Sequence, residues 1–311
     1  MDIIEQAAKR LAELRSAGVE VTPVAPVQPA VVAPAQEKTA ASAEAPAAAV
    51  VSPPPISRRI DLNMGKVAQN GVLTPNAARS HLADELRVIK RPLLRNVAGK
   101  GAAPVKNGNL IMITSAVPGE GKSFTAANLA MSIAMELDHT VLLVDADVAR
   151  PSLPSIFDLP PSKGLLDVLI EPGLDLSQVM LRTNVEKLSI LPSGLRHKHA
   201  TELLASDAMA KLLEDLATRY SDRVVIFDSP PLLVTTEARA LASHMGQVVL
   251  VVRAERTTQA EVRHALSLIE GAPVKMVMLN QAADPGANGH GYGYGYGYGY
   301  GHDDESKAEE Q

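Results

Sequence analysis

The chemistry most plainly written in the sequence is concentrated in nine residues, Ser115-Ala116-Val117-Pro118-Gly119-Glu120-Gly121-Lys122-Ser123. Gly119 and Gly121 let backbone N–H groups converge on phosphate oxygens with no Cβ in the way. A helix opening at Lys122 adds its dipole to that attraction. Lys122 has the reach for β- and γ-phosphates and the Ser123 hydroxyl is a ligand for Mg²⁺, so ATP and Mg²⁺ are the expected ligands. The nucleotide-binding stretch is then Gly119, Glu120, Gly121, Lys122, Ser123 and Phe124, with Ala116 where the usual pattern has its first glycine. Two apolar runs end in acids: Val141-Leu142-Leu143-Val144 delivers Asp145 and Asp147, and Val224-Val225-Ile226-Phe227 delivers Asp228. A single acid after a strand is ordinarily a cap or turn residue. Three beside a phosphate loop suit catalysis with Lys122: Asp145 and Asp228 share the metal with Ser123, and one of the three acids takes a proton from an attacking hydroxyl.

Placing these groups together is the task of the surrounding elements. Apolar runs at Leu110–Thr114, Val141–Val144, Lys187–Leu191, Val224–Phe227, Val248–Val252 and Val274–Leu279 predict buried strands. Helical segments at Ser80–Leu94, Lys122–Leu137, Leu165–Ile170, Asp207–Tyr220, Glu237–Ser243 and Gln259–Glu270 separate them, the last opening with the capping box Thr258 and Glu261. Such alternation predicts an α/β fold, a doubly wound, mainly parallel sheet covered on both faces, over about residues 75–283. Parallel strands put their C-terminal ends on one edge, so the loop and all three acids share it. The last strand ends at the same rim, where Asn280 is expected to approach the base.

Outside that unit the composition changes. Residues 1–18 carry an apolar stripe, Ile3, Ile4, Ala7, Ala8, Leu11 and Leu14, at helical spacing. Residues 19–57 are Pro/Ala-rich and predict a disordered linker. A helix on such a tether meets another molecule or folds back on the domain. Residues 284–311 contain strict Gly-Tyr alternation, with Tyr292, Tyr294, Tyr296, Tyr298 and Tyr300, and then an acidic terminus. Glycine at every second position makes a packed strand there unfavourable. The 311 residues include no Cys, which excludes disulfides, thiolate metal sites and a cysteine nucleophile. Net charge is −5, most of it in that terminus, which leaves no broad basic face for nucleic acid. No apolar run reaches the length of a membrane span, and a cytoplasmic protein is expected.

With those residues in hand, the chain resembles the bacterial protein-tyrosine kinases, whose P-loop fold is related to the MinD and ParA ATPases. The resemblance covers about residues 80–300 and rests on Gly119-Glu120-Gly121-Lys122-Ser123, Asp145-Ala146-Asp147, Phe227-Asp228-Ser229-Pro230-Pro231 and the tyrosine-rich C-terminus. Within that family it is most similar to the exosortase-associated autokinases of exopolysaccharide loci. The second motif of the family carries an arginine two residues after its second Asp; here that position is Ala149, with Arg150 following. A family Glu-x-x-Arg-x-x-Arg helix that meets a neighbouring subunit has its counterpart in Asp84, Arg87 and Lys90. The resemblance therefore implies a homo-oligomeric ring, autophosphorylation of the five tail tyrosines, and regulation of exopolysaccharide synthesis or export. It also implies a separate membrane activator of the chain-length-regulator type, which would recruit the chain to the inner face of the membrane, and a cognate phosphotyrosine phosphatase.

The tail's position favours it as substrate. About fifteen residues separate Gln281 from Tyr296, an r.m.s. reach of about 20–25 Å for a Gly-rich chain, enough to approach a neighbour's site. Competing readings are a partition-type switch ATPase, whose additional signature lysine is Val117 here, and a Gly-Tyr self-association module without catalysis. A metal role for His197 with His199, or for His290 or His302, is the remaining alternative.

Overall fold

The computed structural model describes residues 58–76, 80–220 and 222–283. The expected N-terminal helix, linker and tyrosine tail lie outside those residues. Eight strands among the described residues form one sheet: β1 (Arg58–Ile60), β2 (Leu110–Ser115), β3 (Thr140–Asp145), β4 (Leu181–Thr183), β5 (Leu188–Leu191), β6 (Arg223–Asp228), β7 (Gln247–Arg253) and β8 (Val274–Asn280). Their order is β1-β4-β5-β3-β6-β2-β7-β8. Every neighbouring pair is parallel except β4 with β5.

Period-two alternation within each strand divides the core in two. Leu110 and Met112 of β2, with Leu142 and Val144 of β3, face one side. Ile111 and Ile113, with Val141 and Leu143, face the other. The second side is covered by α1 (Met64–Gln69), α2 (His81–Val97), α3 (Lys122–Ala134) and α4 (Leu153–Phe157). The first is covered by α5 (Leu165–Ile170), α6 (Leu176–Val179), α7 (Ala200–Leu204), α8 (Asp207–Arg219), α9 (Glu237–Ala242) and α10 (Gln259–Ser267). Helix α3 is buried along nearly its whole circumference, because it lies between the sheet and α2. Its alanines, Ala126, Ala127, Ala130 and Ala134, let both neighbours come close.

Two expectations require correction. The fold takes in Arg58–Gln69 and does not begin near residue 75, because β1 and α1 belong to it. Arg-Arg-Ile is too short and too polar to register as a buried strand, and it is held by position rather than propensity. Leu62 N–H donates to Asn184 Oδ1 at 3.0 Å, Asn184 returns a bond to Leu62 O at 3.2 Å, and Leu73 N–H donates to Asn128 Oδ1 at 2.8 Å. The second correction concerns the charged stripe on α2. Asp84 and Arg87 are exposed and pair with each other at 2.5 Å. Lys90 instead turns inward: it is buried and donates to Ser132 O at 2.7 Å and Glu136 Oε1 at 2.5 Å. It fastens α2 to the end of α3 and is not displayed beside Asp84 and Arg87 for a neighbouring subunit.

Candidate active site

The loop between β2 and α3 carries the phosphate-site residues. Gly119 (φ 85°) and Gly121 (φ 94°) hold left-handed conformations that a side chain would strain. Gly121 is also close-packed, since a Cβ there would lie 2.1 Å from Asn280 Nδ2. Helix α3 begins at once, with Thr125 N–H bonded to Gly121 O, so the unpaired N–H groups of its first turn face the cavity above the loop. That cavity, of about 380 Å³, is lined by Gly119, Lys122, Ser123, Asp147, Arg150 and Thr235, among others.

Register brings the acids to the loop. Asp145 and Asp228 are directly opposed at the ends of β3 and β6. Lys122 Nζ, largely buried, lies 2.6 Å from Asp147 Oδ2, 3.5 Å from Asp228 Oδ1 and 3.1 Å from Ser123 Oγ. Burial alone would lower the Lys122 pKa, but the charges of Asp228 and Asp147 outweigh it and hold the group above its ordinary value. Burial drives Asp145 well above the usual carboxylate range, reinforced by the neighbouring Asp228. Asp228 is also raised, by burial that the Lys122 charge only partly offsets. Asp145 Oδ2 accepts from Leu153 N–H at 3.2 Å. Asp145 Oδ1 and Asp228 Oδ2 are buried with no protein partner. Buried carboxylate oxygens with open lone pairs fit a divalent cation. Among the described residues no group of three or more Asp, Glu or His is placed to hold a metal ion by itself.

Two of the residues expected at the nucleotide site also shape the loop itself. The Glu120 side chain is buried beneath the loop, where it accepts from Val117 N–H at 2.7 Å, Arg253 N–H at 3.3 Å and the Thr257 hydroxyl. Asn280 donates to Glu120 O at 2.9 Å. Both therefore hold the loop in shape, Glu120 from within and Asn280 from its outer side. Phe124 lies at the cavity as expected, and Arg150, one residue after Ala149, lines it too. Sequence reasoning missed Ser152 and Thr235, hydroxyls at the cavity wall, and the anchors Arg253 and Thr257. Only the Pro230-Pro231 turn hinted that the segment following β6 returns to the site.

A glycine loop opening a helix, a buried lysine and acids at parallel strand ends define a P-loop α/β nucleotide-binding domain, and residues 108–273 match the AAA domain family. The tyrosine-protein kinase YwqD of Bacillus subtilis is 31% identical over 69% of this chain and 86% of its own length. EpsB of Ralstonia nicotianae is 37% identical over 57% of this chain, which spans only 23% of that longer protein. Among solved structures, the kinase domain of the Escherichia coli tyrosine kinase ETK aligns with TM-score 0.58 and 25% identity, covering 78% of this chain and 94% of that one. The chimerical protein CapA2B2 aligns with TM-score 0.56 and 30% identity over 72% of this chain and 93% of its own. The chain belongs to the bacterial protein-tyrosine kinases. No helix among the described residues is long and apolar enough to cross a membrane.

Proposed function

We propose that the chain is an ATP- and Mg²⁺-dependent tyrosine autokinase that phosphorylates its own C-terminal cluster, Tyr292, Tyr294, Tyr296, Tyr298 and Tyr300, in trans within an oligomer. The observation that carries this reading is the buried Lys122 ammonium held between Asp147 and Asp228 at the mouth of the glycine loop. Ser123, Asp145 and Asp228 would hold Mg²⁺, which when bound would supply charge neutralisation for the phosphates. Lys122 is already oriented toward the cavity by its acid partners and exchanges part of that pairing for β- and γ-phosphate oxygens. The tyrosine hydroxyl attacks the γ-phosphorus of ATP and ADP leaves. Asp147, which reaches the cavity beside Lys122, accepts the hydroxyl proton. Arg150, which also lines the cavity, supports the developing charge.

In this reading the kinase regulates synthesis or export of an exopolysaccharide, a membrane protein of the chain-length-regulator type recruits and stimulates it, and a phosphotyrosine phosphatase reverses the modification. The test is intact-mass spectrometry of the full chain after incubation with ATP and Mg²⁺, beside Lys122→Met and a variant with all five tail tyrosines changed to Phe. A ladder of added phosphates in the wild type, absent from both variants, is the expected result. ADP release with no ladder, even with the activator's cytoplasmic segment added, overturns the kinase reading in favour of a switch ATPase.

A further inference from the structure

At the sheet edge opposite the glycine loop, where β3, β5 and β6 begin and β4 ends, lies a second cavity of about 460 Å³. Its charged lining is Arg59, Arg182, Lys187 and Arg223 against a single acid, Glu186. Register makes the clustering closer than sequence suggests. Arg59 of β1 pairs directly with Arg182 of β4, and Arg182 with Ser189 of β5, so the three side chains project from one face of the sheet. Like charges directly opposed across strands are destabilising unless something neutralises them. Among the described residues, no carboxylate lies within salt-bridge distance of Arg59, Arg182 or Arg223.

Arg223 is the clearest case of unspent hydrogen-bonding capacity. Its guanidinium lies 5.3 Å from the Tyr220 ring centroid and makes its one side-chain hydrogen bond to Met180 Sδ, at 3.7 Å. Its Nε–H is buried with no acceptor, and Thr140 Oγ1, in the same lining, is a second buried atom without a partner. Lys187 is anchored to Glu136 O and Leu137 O at 2.8 and 2.7 Å, which fixes its charge at the cavity wall. Guanidinium groups free of carboxylate partners and a fixed ammonium in one concavity are a donor set that binds phosphate, with planar guanidiniums suited to two-point contact. Buried polar atoms without partners mark the place where an anion or its water completes the network.

We propose that this cavity is a second anion site, separate from the glycine loop, that takes a phosphate or phosphate ester through Arg59, Arg182 and Arg223. The ligand carries at least two negative charges, which the guanidinium groups of Arg59, Arg182 and Arg223 meet. Free phosphate compounds and phosphotyrosine share this chemistry, and the second source alone rests on the tail reading above.

The experiment uses the full chain carrying Lys122→Met, so that the glycine loop contributes little, in low-salt buffer with chloride matched for ionic strength. Thermal midpoints and calorimetric titrations are recorded with inorganic phosphate, pyrophosphate and O-phosphotyrosine. Binding should raise the midpoint by mass action. Arg182→Gln and Arg223→Gln should each weaken the tightest of the three probes at least tenfold. Arg59→Gln should leave the anion-free midpoint unchanged or raised, because it relieves the like-charge pair, while reducing the gain on adding that probe. ATP binding to the same arginine variants with Lys122 intact should be unchanged, which shows that the loss is local. Tightest binding of O-phosphotyrosine identifies the modified tail as the source, and tightest binding of pyrophosphate or phosphate identifies a free compound. No binding of any probe, or binding that the arginine variants leave intact, overturns the proposal.

Discussion

Glu120 shows how far a residue's role can lie from its sequence surroundings. It lies between two loop glycines in the nucleotide-binding stretch, and its carboxylate serves as an internal brace for Val117 N–H, Arg253 N–H and Thr257. Two of its three partners, Arg253 and Thr257, are more than a hundred residues away, so no local pattern could announce them. Removing a buried, charged acceptor leaves its donors unsatisfied, at a cost of about 2–3 kcal/mol. Glu120→Ala is expected to lower the thermal midpoint and raise KM for ATP several-fold, with a smaller loss in kcat, because the loop loses its brace while Lys122 and the acids remain. Steady-state kinetics together with calorimetry check this, and an unchanged KM would remove Glu120 from the loop's support. Gly121 gives a second prediction at this scale. Gly121→Ala should abolish nucleotide binding both by strain at φ 94° and by collision with Asn280 Nδ2. Adding Asn280→Ala relieves only the collision, so nucleotide titrations of the double variant should show partial and not full recovery.

At the scale of elements, the six longer strands were legible to within a residue at each end, because each is an apolar run, and in all but the edge strand β8 its alternation serves two cores. The three-residue strands β1 and β4 were not, since Arg-Arg-Ile and Leu-Arg-Thr carry no periodic signal and owe their pairing to the neighbours that recruit them. The site followed the strands: once β3 and β6 are parallel neighbours, Asp145 and Asp228 must meet. The α2 stripe was misjudged for a related reason. Helical spacing groups Asp84, Arg87 and Lys90, but a long aliphatic stem lets Lys90 bury its length between helices and place its ammonium at the end of α3. That contact titrates. The Lys90 hydrogen bond holds the Glu136 carboxyl below the usual glutamate range. A depressed carboxyl pKa means that the unfolded chain binds more protons near pH 4. The contribution is therefore complete above the unfolded pKa and is lost as pH falls through the folded one. Because Glu136 is substantially exposed, its size is under about 1 kcal/mol. The difference in urea midpoint between wild type and Glu136→Gln should be present at pH 7 and shrink toward zero by about pH 3. A difference independent of pH would assign the effect to packing.

At the scale of the whole molecule, β8 is an edge strand whose C-terminal end touches the glycine loop through Asn280. The chain beyond Ala283 therefore departs from the active-site edge itself, and the five tyrosines follow within a stretch rich in glycine. If transfer runs between chains, as proposed above, two inactive proteins should complement each other. Lys122→Met keeps an intact tail and lacks catalysis; the five-Phe variant keeps catalysis and lacks acceptors. Mixed with ATP and Mg²⁺, the pair should place phosphate on the Lys122→Met chain alone, resolved by its different intact mass, at an initial rate that falls more than in proportion as the mixture is diluted. If the mixture stays unmodified while wild type is phosphorylated at a rate per chain independent of concentration, transfer occurs within one chain, and the tail must fold back across its own loop.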